Sequence, residues 1–254
     1  MKRKTNCKED KTNYTREFFG ADISLGVDLI KQLSLNGYAG FHLNNILPGR
    51  EPGSPSTTDL YDETTLLGLE TNVNLFTLTL NFLFNSTNQP GNPSRGFGID
   101  IRGSYFQQVN NDAYKFFKFK TDIRHYIHLF YNRILVVRAS AELTDPLQGK
   151  SVPFYYLSEL SEEISFRGFN RGRFRDFDLI LGSLEYRYPV SNNFESILFT
   201  DVGQVSSDIF QNYNASNWEV SFGIGLRYVS IKGSVSKIEL ARSRDGFLFK
   251  LSLN

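Results

Sequence analysis

Hydrophobic and polar side chains alternate with a period of two along almost the whole chain, and no stretch carries the 3.6-residue period of an amphipathic helix. In "LSLNGYAGFHLN", Leu33, Leu35, Ala39, Phe41 and Leu43 fall on one face and Ser34, Asn36, Tyr38, His42 and Asn44 on the other. In "GADISLGVDL", Ile23, Leu25, Val27 and Leu29 oppose Asp22, Ser24 and Asp28; in "NWEVSFGIGLRY", Trp218, Val220, Phe222, Ile224, Leu226 and Tyr228 oppose Glu219, Ser221 and Arg227. The polar face of "YKFFKFKTDIRHY" is charged, with Lys118, Lys120, Asp122 and Arg124. The pattern predicts about twelve strands, at 20–29, 33–44, 64–74, 77–86, 95–107, 115–126, 132–144, 177–189, 195–203, 217–229, 233–241 and 246–253.

Within "NVNLFTLTLNF" the apolar positions switch from odd (Leu67, Leu69, Val73) to even (Leu78, Leu80, Phe82, Phe84). A two-residue hairpin loop or a bulge produces such a switch, which is why two strands are expected there. Long polar connections, "LPGREPGSPSTTDLYDET" and 145–176, alternate with short links such as "VSNN". This asymmetry and the run of strands in order point to an all-β, antiparallel, up-and-down transmembrane β-barrel, in which about ten tilted residues cross the bilayer. A soluble sandwich would show the same alternation, with one face buried and one solvated.

Composition sharpens the β reading: aromatic residues make up 15% of 254 residues, with Phe 23 and Tyr 13. Lys+Arg 28 against Asp+Glu 27 leaves a net charge of +1, so no global field attracts nucleic acid. No apolar run reaches the roughly 18 residues of a membrane helix, and a mean hydropathy of -0.31 suits strands whose alternate residues are polar. The segment 1–19 is polar and lacks a signal-peptide core, so an outer-membrane destination implies that Met1 is not a native start, and 20–254 is read as the barrel domain. Cys7 has no partner for an internal disulfide and no apolar run before it to make a lipid anchor.

The stretch "ISFRGFNRGRFRDFDLILGSLEYRYP" holds five arginines beside a membrane-quality strand. There is no Gly-x-Ser-x-Gly elbow, no phosphate-cradling loop and no metal-type Cys/His set; His125 and His128, three apart, lie on opposite faces of a strand. No enzyme activity, metal or cofactor is expected. A nucleic-acid patch is disfavoured because Asp176 and Asp178 follow the arginines at once. By strand parity Ser183, Glu185 and Arg187 face one way and Leu184, Tyr186 and Tyr188 the other; Asp201 and Gly203 share a face, opposite Leu198, Thr200 and Val202.

"FRGFNRGRFRD" resembles the Arg-Gly-Phe/Tyr motif in the sixth extracellular loop of the bacterial surface antigen superfamily, the outer-membrane barrels of BamA/TamA insertases and FhaC-type translocators. "LEYRYPV", "FTDVGQV" and "GIGLRY" are similar to the family's motifs after that loop, and "NQPGNPSRGFGIDIRGSY" to its Asn-Pro-x-x-Pro-x-x-Gly turn. The resemblance implies a barrel of about sixteen strands, of which about four N-terminal ones are absent here. It implies that the 145–176 loop folds inward and that Arg167 pairs in the lumen with Glu185 and Asp201, beside Arg187 and Gly203, with Gly168 allowing the turn and Phe169 packing on the inner wall. A guanidinium suits two carboxylates, and losing one buried partner costs about 3 to 5 kcal/mol. Arg171, Arg173 and Arg175 are read as solvated loop charges. The implied setting is the bacterial outer membrane, with the lipid bilayer and client polypeptides as partners. The alternatives are a passive anchor or pore behind a passenger such as a patatin-like phospholipase, and the soluble sandwich.

Overall fold

The computed structural model describes residues 12–50, 52–69, 72–160, 166–212, 214–230 and 234–253, so Cys7 lies outside the described residues. The chain runs β1 (Tyr14–Ile30), β2 (Leu33–Pro48), a four-residue helix α1 (Thr57–Leu60), β3 (Val73–Asn85), β4 (Gly96–Gln108), β5 (Lys115–His128) and β6 (Ile134–Pro146). It continues through β7 (Ser158–Leu160), β8 (Phe174–Asp176), β9 (Asp178–Pro189), β10 (Phe194–Ser206), β11 (Glu219–Val229), β12 (Val235–Ser243) and β13 (Gly246–Ser252). All but β7 and β8 form one antiparallel sheet of 11 strands in sequence order, one fewer than the pattern predicts; β7 and β8 pair separately within the β6–β9 connection.

Among the described residues no second sheet covers the outer face. Leu25 is 83% exposed, Leu80 65% and Phe249 65%, each on the apolar parity of its strand. Such a belt would aggregate in water and is the lipid-facing band of a membrane barrel. This separates the barrel from the sandwich, because a sandwich would have buried these side chains against a partner sheet. Among the described residues no helix is long and apolar enough to cross a membrane; the crossing elements are strands.

The twelfth predicted strand disappears at 64–74. Residues 62–69 form turns, and Val73–Asn85 is a single strand that pairs with β2 in unbroken register from Asn44↔Val73 to Leu33↔Phe84. Val73 and Leu75 are fully buried, pointing inward onto Phe106, Phe116, Phe154 and Tyr155, whereas Phe76, Leu78, Leu80 and Phe82 point outward. The change of apolar parity therefore marks an inward apolar plug at one end of the lumen. Leu69, 2% exposed, joins that plug from the loop.

At the other end of the sequence reading, β1 begins at Tyr14, inside the polar 1–19 segment. Arg16 gave that segment its polar look, but it turns inward: its Nε and Nη2 donate to Asn44 Oδ1 at 3.1 and 2.5 Å, and its guanidinium lies 4.6 Å from the Tyr155 ring.

Among the described residues, β1 pairs with β2 alone and β13 with β12 alone, so the sheet they form does not close on itself. With 11 strands, each antiparallel to the next, β1 and β13 run in the same direction, so joining them directly would need a parallel seam. Single-chain barrels of the bacterial outer membrane have even numbers of antiparallel strands. A strand lying between β1 and β13 would be antiparallel to both.

Candidate functional site

The long β6–β9 connection enters the lumen and is held there at two levels. Nearer the loop end, Phe166 and Phe169 stack with ring centroids 4.9 Å apart, Phe174 meets Phe169 edge-on at 5.2 Å, and all three pack with Leu160, Leu179 and Leu181. Apolar rings thus anchor the loop on the inner wall made by β9.

Between those two phenylalanines the chain turns at Gly168, which has φ +88°, a conformation that side-chain-bearing residues rarely adopt. Space is short as well: a Cβ there would lie 3.2 to 3.4 Å from the side chains of Ser221, Ala241 and Ser243. Ser243 Oγ donates to the Gly168 carbonyl at 2.6 Å, fixing the turn to β12.

Arg167 is projected by this turn to the middle of the wall and is 7% exposed. Its Nε donates to Asp201 Oδ2 at 2.8 Å and its Nη2 to Asp201 Oδ1 at 2.7 Å, a bidentate grip. Nη1 donates to Glu185 Oε2 at 2.8 Å and to Glu239 Oε1 at 3.2 Å, and Nη2 also reaches Ser183 Oγ at 3.1 Å. All five guanidinium hydrogens therefore have acceptors, contributed by β9, β10 and β12. The backbone N–H of Arg167 donates to Asp201 Oδ2 at 3.1 Å, and the guanidinium carbon sits 3.6 Å from the centroid of the Phe199 ring. Burial opposes the charge, but Asp201, then Glu185 and Glu239, outweigh it and hold Arg167 further into its charged range.

Of the other residues singled out by sequence, Arg187 meets Arg167 through a shared partner: its Nε donates to Glu185 Oε1 at 2.8 Å. At Gly203 a Cβ would stand 2.8 Å from Leu160, so the glycine makes room for the loop hairpin. Arg175 is half-buried and departs from the solvated-loop reading, whereas Arg173 is exposed in keeping with it. Arg173 Nε donates to Asp245 Oδ2 at 2.8 Å in the β12–β13 turn, and Arg175 pairs with Glu159 across the β7–β8 pair. Arg171 is exposed. His125 stacks on Phe97 at 3.8 Å and His128 lines a cleft at the turn end, so the two do not converge. Glu239 was missed: it sits on the inward parity of "KIELARS", a signal readable from sequence, but its distance of 72 residues from Arg167 is closed only by the curl of the sheet.

The rest of the lumen is also a ladder of paired charges. Glu142 receives Lys118 and Lys120 at 3.1 and 2.6 Å, Asp122 receives Arg124 and Arg138 at 2.6 and 2.5 Å, and Glu195 pairs with Arg227. A lumen lined with charge, an apolar outer belt and a loop pinned inside by an arginine define an integral β-barrel of the bacterial outer membrane.

The chain belongs to the Omp85 superfamily, whose domain matches residues 2–236. No curated protein sequence matches it. Among solved structures it is similar to BamA from Haemophilus ducreyi lacking POTRA domains 1–3, at 18% identity and a TM-score of 0.71 over 98% of this chain and 55% of that one. It is also similar to CdiB from Acinetobacter baumannii, at 11% identity and a TM-score of 0.59 over 93% of this chain and 41% of that one. The chain thus spans about half the length of these structures.

Proposed function

We propose that the protein helps to insert or translocate other polypeptides at the outer membrane, by lending a strand edge of its barrel wall to a client strand. The observation that carries this reading is the inward loop pinned by Arg167 to Asp201 and Glu185 in a barrel wall of the Omp85 superfamily. A strand edge exposed at the seam of such a barrel accepts a client strand through main-chain hydrogen bonds. Unpaired strand edges in hydrocarbon are costly, so the exchange of one partner strand for another is driven by the same backbone groups throughout. The loop pinned by Arg167 keeps the β9–β12 wall in one shape while the edge is used; in this reading it is a latch that conditions function and takes no part in covalent chemistry.

The test uses vesicles containing the protein and an unfolded outer-membrane protein as client, with a cysteine in place of Ile23 on β1 in a Cys7→Ser background and single cysteines along the client's terminal strand. A register-specific disulfide between the two, together with faster client folding than in empty vesicles, is expected. Client folding at the empty-vesicle rate with no such cross-link overturns the reading.

A further inference from the structure

The arginine network does not end at Glu185. At the opposite end of the lumen, the turn joining β3 to β4 folds inward and touches three strands distant in sequence. Asn92 Oδ1 accepts from Arg227 Nη2 at 2.9 Å and from Arg187 Nη1 at 3.5 Å, and Asn92 Nδ2 donates to Glu195 Oε1 at 3.4 Å. The Pro93 carbonyl accepts from Arg187 Nη1 at 3.2 Å. Arg187 and Arg227 are 7% and 2% exposed, so these are contacts between buried charges and a connecting turn.

The turn is built to hold that position. Asn88 Oδ1 accepts from the N–H groups of Ser94 and Arg95 at 3.0 and 3.1 Å, Asn88 N–H donates to the Arg95 carbonyl at 3.1 Å, and Gly91 takes φ +81°. Side-chain caps of this kind replace the ladder bonds that a turn lacks. The geometry therefore makes an unbroken series: Asn92 and Pro93 hold one end of Arg187, Arg187 holds Glu185 Oε1, and Arg167 holds Glu185 Oε2.

We propose that Asn92 is a positioning residue of the arginine latch, so that the turn at one end of the lumen sets how firmly the loop docks toward the other. The proposal rests on reading Arg167 as a latch. Its physical basis is that a carboxylate shared by two guanidinium groups is oriented by both; when Arg187 is released at its far end, Glu185 follows it and Arg167 loses an aligned acceptor. Disturbing the turn, by a partner or a neighbouring domain, then loosens the loop without touching it.

Trypsin cleavage after Arg171 and Arg173 in the folded, detergent-solubilised protein reads loop opening directly, because cleavage in a docked segment follows the population of its open form. Asn92→Ala is expected to speed this cleavage on the order of fivefold, while cleavage after Arg50, in the β2–β3 connection, stays constant. Arg187→Ala raises loop cleavage too, the double variant exceeds the larger single effect by little, and Asn92→Asp, which keeps the acceptor, restores protection. Asn92→Ser, too short to reach, serves the same purpose if the alanine variant does not assemble. Unchanged loop cleavage in a folded Asn92 variant, additive effects of the two substitutions, or an equal rise after Arg50 overturns the proposal. If Arg167→Ala itself leaves the loop protected, the latch reading fails; if it exposes the loop and Asn92→Ala does not, only the positioning role fails.

Discussion

At the residue scale, Arg167 is distinguished by how completely it is used. One guanidinium serves three carboxylates and a hydroxyl on three strands, and Arg187 supplies a second positive charge on the far oxygen of Glu185. A lysine in its place carries the charge but has three donors on a point centre and cannot hold Asp201 bidentately while reaching Glu185. Arg167→Ala is expected to destabilise the docked loop by about 3 to 5 kcal/mol, since it leaves buried carboxylates without their counter-charge. Arg167→Lys recovers less than half of that, as measured by denaturant unfolding and by loop cleavage in parallel. Full recovery by lysine would mean that charge alone, without the planar fork, holds the loop.

At the scale of elements, β3 carries the clearest lesson. Its apolar residues face inward at one end and outward along the rest, because the lumen is capped there by an apolar plug drawn from the loops. The same residue type therefore has different worth on one strand. Leu75→Ala opens a cavity beneath Phe106 and Phe116 and is expected to cost about 2 to 5 kcal/mol. Leu78→Ala, on the lipid face, exchanges one apolar contact for another and costs far less. Thermal unfolding in detergent separates the two. Equal costs would place a chain reversal between these residues, as the parity switch alone suggested.

At the scale of the whole molecule, the sheet curls far enough to bury a charged lumen, and among the described residues β1 and β13 each have one side without a partner strand. β1 is 17 residues long and among the described residues is paired along one side, with β2. Amide exchange should reveal this: in detergent, alternate amides along Tyr14–Ile30 are expected to exchange orders of magnitude faster than those of β5, which is paired on both sides. Uniform protection of β1 would show that its outer edge is already occupied.

Period-two alternation settled the strand class, the lipid and lumen faces and most strand positions, because side-chain direction in a strand follows from position alone. Parity likewise put Glu185, Arg187 and Asp201 on inward faces. What alternation cannot separate is an apolar residue facing lipid from one facing an apolar plug, and that ambiguity produced the extra strand at 64–74, while the inward-turned Arg16 hid Tyr14–Phe19 from β1. Nor can it say which inward charges meet. The third carboxylate on Arg167, the pairing of Arg173 and Arg175, and the link from Asn92 to Arg187 join residues brought together only by the curvature of the sheet and the inward path of its loops. The sequence by itself determined a strand-built wall with a greasy outside and a charged inside. The tertiary structure decided which charges close on one another and which apolar residues plug the lumen, because both depend on how far the wall bends and where its loops enter.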